Sequence, residues 1–73
     1  MKLELYTEVE LTCDIPKYSL QAGDVVKIID YSDNNYILEA YNVLGDTIGV
    51  FILGEDKIKV LKKNKVFHTR ELV

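Results

Sequence analysis

This chain has few residues suited to covalent ties or to catalysis. Among 73 residues there is one cysteine, one histidine and one proline, and no tryptophan. A lone Cys13 excludes an internal disulfide. Its position on the apolar phase of an alternating stretch predicts a small buried hydrophobe rather than a reactive thiol. His68 has no cysteine or second histidine beside it, which argues against a zinc site. No apolar run approaches the roughly 18 residues that span a bilayer. The opening Met1-Lys2-Leu3-Glu4-Leu5 carries an early acid and lacks a signal-peptide core, so a cytoplasmic protein is expected. Small domains usually gain stability from a disulfide, a metal or self-association, and the first two are missing here. A homodimer is therefore one expected association.

What is present is β-forming. The hydrophobic fraction of 48% suits one globular core and is too high for a disordered chain. Leu3, Leu5, Val9, Leu11 and Cys13 alternate with Glu4, Glu8, Glu10 and Thr12, the period of a half-buried strand, with a break expected near Tyr6-Thr7. Asp14-Ile15-Pro16 ends it, since proline donates no ladder bond. Leu20 is expected to plug the following loop, and Gly23 to re-enter the sheet. Asp24 to Tyr31 then reads as a strand apolar on both phases, with Val25 and Ile29 on one and Val26 and Ile28 on the other. A bent strand reads this way. Ser32 to Asn35 is a turn. Tyr36 to Val43 forms a third strand with Tyr36, Leu38 and Ala40 on one face and Ile37, Glu39 and Tyr41 on the other. Leu44 to Thr47 is read as a tight hairpin turn with Gly45 first of its central pair. Thr47 to Leu53 follows, with Gly49 expected at a close approach. A single 3₁₀ turn at Gly54–Lys57 and a short strand over Ile58, Val60 and Leu61 complete the pattern. The expected fold is all-β, a small SH3-like barrel of about five short antiparallel strands over residues 1–61, with a C-terminal extension at 62–73.

These residues resemble a known pattern. Asp14-Ile15-Pro16, Leu20, Gly23-Asp24-Val25, Tyr36, Glu39 and Gly45-Asp46-Thr47-Ile48 are similar to a family of short bacterial domains of unknown function with an SH3-like barrel. Its signature has the form DIP…L..GD.G.V…Y.VEF…G.T, and the likeness covers roughly residues 7–61. Val26 stands where the family has a glycine, so a milder or displaced bend is expected. Ala40 stands where an aromatic is usual, with Tyr41 the expected compensation. The resemblance implies a small partner of toxin-like proteins, of the antitoxin or immunity kind.

Charge divides the chain. Residues 1–56 hold three lysines against eleven acids, giving −8, and residues 57–73 hold six basic residues against Glu71, giving +5. The acidic body opposes phosphate, which argues against nucleic acid and leaves Lys62, Lys63, Lys65 and Arg70 as its one route. That tail is read as an added strand in preference to an amphipathic turn of helix using Phe67 and Leu72, or as a segment docked on the body. Asp24, Asp30, Asp33 and Glu39 have no convergent nucleophile, second histidine or arginine, so neither an enzyme nor a cofactor or metal is expected. Gly23 and Gly45 are turn glycines, not a phosphate-cradling loop. Protein binding is the expected function. The candidate surface is Ile37, Glu39, Tyr41 and Leu44, with tail contacts from Lys62, Lys63, Lys65, Phe67 and Arg70. A basic toxin is the expected partner. A nucleic-acid-binding accessory domain and a self-associating structural module are the alternatives.

Overall fold

The computed structural model describes residues 3–61, so the tail contacts expected of Lys62, Lys63, Lys65, Phe67 and Arg70 lie outside the described residues. The described chain is all-β. Its strands are β1 (Glu8–Leu11), β2 (Val25–Ser32), β3 (Asn35–Tyr41), β4 (Thr47–Gly54) and β5 (Ile58–Val60). They pair antiparallel in one open sheet of order β4-β3-β2-β1-β5. The two edge strands are joined by a single 3₁₀ turn, Glu55–Lys57, an arrangement compatible with a small SH3-like barrel.

Alternation sets the core. Val9 and Leu11 from β1, Val26 and Ile28 from β2, and Tyr36, Leu38 and Ala40 from β3 are buried, together with Leu20 and Ile58. Each large aliphatic among them contributes about 1.5–3 kcal/mol by leaving water. The double-phase apolar pattern of β2 has a local cause. Ile28 faces Leu38 while Asp30 faces Ile37, so Ile29 is an extra residue. A bulge of this kind reverses the phase, because side chains alternate with period two. Val26 and Ile28 point inward before it, and Tyr31, opposite Tyr36, points inward after it. The bend expected at position 26 is thus displaced to Ile29, and Val26 serves as core.

The first strand is shorter than its alternation predicts. Tyr6 adopts φ 67°, which breaks the extended chain before β1. Leu3 is nonetheless held: its N–H donates to the Tyr36 hydroxyl at 2.9 Å, and its carbonyl accepts from the Tyr31 hydroxyl. Cys13 falls beyond the end of β1 and is half-buried rather than core.

The loop between β1 and β2 is tied by carboxylates. Asp14 Oδ1 accepts the Ala22 N–H at 2.9 Å, and Asp24 Oδ2 accepts the Gln21 N–H at 2.8 Å. The Asp24 N–H closes on the Gln21 carbonyl, with Gly23 at φ 98° between them. That φ is strained for residues with a Cβ. Leu20 folds beneath the loop, bridged to Ile15 and buried.

The β3–β4 hairpin differs from its expected turn. The Gly45 N–H donates to the Asn42 carbonyl, and the Asn42 N–H donates to the Asp46 carbonyl. Asn42 Oδ1 accepts both the Leu44 and Asp46 N–H groups at 2.9 Å. Gly45, at φ 87°, therefore ends the turn instead of standing first in its central pair. Side-chain capture of the backbone by Asn42 overrides the two-residue turn.

Ala40 and Gly49 face one another across β3 and β4. Directly opposed residues share a face, so this pair leaves room on the core side. The ring of Tyr18, from the 3₁₀ turn Pro16–Tyr18, fills it. A Cβ on Gly49 would meet that ring at 2.5 Å, and the ring lies 5.7 Å from the Phe51 ring centroid. Tyr41, the compensation expected for Ala40, points outward instead. The missing aromatic comes from Tyr18.

Gly49→Ala is expected to expel Tyr18 and to cost about 1–3 kcal/mol, the range for overpacking a filled site. Urea denaturation checks this. Combining it with Tyr18→Ala should be less than additive, because the clash partner is already gone.

Candidate protein-contact face

The same register that fills the core builds the outer face. On it Ile37 stands opposite Ile52, Glu39 opposite both Lys27 and Val50, and Tyr41 opposite Thr47. Three of the four residues expected at the contact surface, Ile37, Glu39 and Tyr41, are thereby brought onto one face. Leu44 is not. It sits with Val43 at the exposed tip of the β3–β4 turn, beyond the sheet.

Glu39 is the organising polar group. Its Oε1 accepts the Tyr41 hydroxyl at 2.7 Å, and its Oε2 accepts the Thr47 hydroxyl. These bonds favour the charged carboxylate and hold its pKa below the ordinary value, Thr47 contributing most and Tyr41 next, with Lys27 adding attraction. Tyr41 is pushed the other way, because ionisation would cost its bond to Glu39. The Lys27 ammonium lies 5.4 Å from the Tyr41 ring centroid. This cluster fixes the orientation of Tyr41 rather than assembling reactive groups.

Beside it runs an apolar stripe that alternation in β4 makes legible in retrospect. Val50 and Ile52 point outward, 47% and 54% exposed, next to half-buried Ile37. Ile48 is unpaired at a second register shift, since Ala40 faces Gly49 and Tyr41 faces Thr47. Glu8, opposite Lys27, and Asp30, opposite Ile37, border the stripe on the β1–β2 side. The face is therefore apolar over β4 and charged over β1 and β2.

The acids considered for catalysis do not converge. Asp24 closes the loop at Gln21, Asp30 Oδ1 accepts the Tyr31 N–H, and Asp33 sits in the β2–β3 turn at φ 54°. Among the described residues no group of three or more histidine, cysteine or carboxylate side chains could hold a metal ion. No helix among them is long and apolar enough to cross a membrane.

The fold and face together define a small all-β domain with a polar-bordered apolar surface. The sequence model of DUF4926, a domain of unknown function, matches residues 5–60, and the chain belongs to that family. No curated protein and no solved structure matches the chain.

The pH response of Glu39 follows from its bonds. A carboxylate with a depressed pKa contributes stability above its unfolded pKa, and that contribution is lost as pH falls through the folded value. In an NMR titration Glu39 should protonate below the ordinary glutamate value. Thr47→Val should move its midpoint up, and Tyr41→Phe should do so by less. A midpoint already at the ordinary glutamate value would show that the two hydroxyl bonds do not persist in solution.

Proposed function

We propose that this protein is a non-catalytic binding module acting in the cytoplasm, and that it grips a partner protein through the outer face of β3 and β4. The observation that carries this reading is the stripe of half-buried Ile37 with exposed Val50 and Ile52 beside an oriented Tyr41. Apolar residues with an aromatic, rimmed by charge, have the composition of a protein-contact surface. Glu8 and Asp30 on its border, in a body of strongly negative charge, favour a basic partner and speed its approach. The resemblance implies an antitoxin or immunity role, and a basic toxin fits the same charge argument. The separate placement of Asp24, Asp30 and Asp33 among the described residues supports the non-catalytic reading.

Co-expression with the product of the neighbouring gene tests this. The two should co-purify, and this chain should restore growth suppressed by the partner. Ile37→Lys should abolish both while leaving the thermal unfolding midpoint near that of the unaltered protein, since Ile37 is outside the core and the new charge stands opposite Asp30. Failure to co-purify together with no growth rescue would overturn the reading.

A further inference from the structure

The two edges of the sheet are built differently. β5 is three residues long with Lys59 at its centre and Lys57 just before it. Short, charged edges discourage pairing with other strands. β4 is eight residues, Thr47–Gly54, with neither a charge nor a proline. Val50 and Ile52 lie exposed along it. Among the described residues, β3 is its strand partner, the Thr47 hydroxyl donates to Glu39 of that same β3, and the Tyr18 hydroxyl lies at a long 3.4 Å from the Val50 carbonyl. A long apolar edge of this kind is a template for another strand.

We propose that the occupant is β4 of a second copy, paired antiparallel about a two-fold axis to make a continuous ten-stranded sheet. Two observations select a second copy. First, the chain carries net charge −3, and like-charged copies can approach most closely where neither bears charge, which is along β4. Second, the strand is complementary to itself. Opposed residues share a face, so an axis passing through a residue of β4 sets outward Val50 and Ile52 against outward residues of the mate. Phe51 and Leu53 then remain on the core side of both copies. The pairing extends the apolar stripe of Ile37 and Ile52 across both copies, and it stands whether or not the face binds a further partner.

Light scattering on the full chain after size exclusion, over rising concentration, tests this. A species of twice the chain mass is expected. Asp46, Glu55 and Asp56 flank β4, so salt should screen their repulsion and tighten the dimer. Ile52→Lys should be monomeric at concentrations where the unaltered chain is dimeric, with an unchanged amide NMR spectrum outside β4 and its neighbours. Replacing Lys62, Lys63, Lys65 and Arg70 by alanine should leave the dimer intact. A monomer at every concentration overturns the proposal. A dimer that survives Ile52→Lys, weakens in salt, or is lost with the tail charges overturns it equally, and the last two results would place the tail at the joint.

Discussion

Ile29 has no partner on β3, and the side-chain phase of the second half of β2 follows from that single extra residue. Without it, continuing the phase of Val26 and Ile28 would turn Asp30 toward the core and Tyr31 toward solvent. A buried, unpaired carboxylate costs several kcal/mol or shifts its own ionisation, so the uninterrupted strand could not hold this sequence. The bulge resolves the conflict. Asp30 stays exposed, and Tyr31 comes within 5.9 Å of the Tyr36 ring. Both hydroxyls then reach Leu3, so the segment before β1 is anchored by the same reversal. A buried tyrosine needs such a partner for its hydroxyl.

The core and its strands were legible because they depend on period two. Tyr36, Leu38 and Ala40 alternate with Ile37, Glu39 and Tyr41 in sequence, and they alternate in burial. What could not be read was decided by single side chains acting across the fold. Asn42 captures two backbone N–H groups and lengthens the hairpin turn, which moves Leu44 off the contact face. Tyr18, 31 residues before Gly49, fills the space over Ala40 that local reasoning assigned to Tyr41. The early alternation also overran β1, because hydrophobic period alone does not register a residue at positive φ such as Tyr6.

The family signature takes on physical content in this light. Asp24 reads as a candidate acid in sequence, yet it and Asp14 each hold a backbone N–H of the loop that carries Leu20. Gly23 supplies the one conformation that loop needs. The same loop delivers Tyr18 to the β3–β4 pair, so these residues support the sheet that presents the outer face. Asp14, Gly23 and Asp24 are thus accounted for by architecture. Function, by contrast, has to be sought in exposed residues with no architectural duty, and Val50 and Ile52 meet that description.

An exposed aliphatic alone means little, since folded proteins leave much apolar surface in water. Val50 and Ile52 differ from such scattered residues because they share a strand with an open edge and no charge. Soluble proteins ordinarily place a lysine, a proline or a bulge along such an edge. β4 has a bulge at Ile48, near its start, and from Gly49 to Gly54 it carries no charge and no proline, with the Tyr18 hydroxyl making only a long 3.4 Å approach to the Val50 carbonyl. If that edge had no occupant, a single lysine at Val50 or Ile52 would remove a hazard without touching the core. Keeping both aliphatic makes physical sense when something covers them, and the outer face and the free edge of β4 are two surfaces of one strand on which that covering can act.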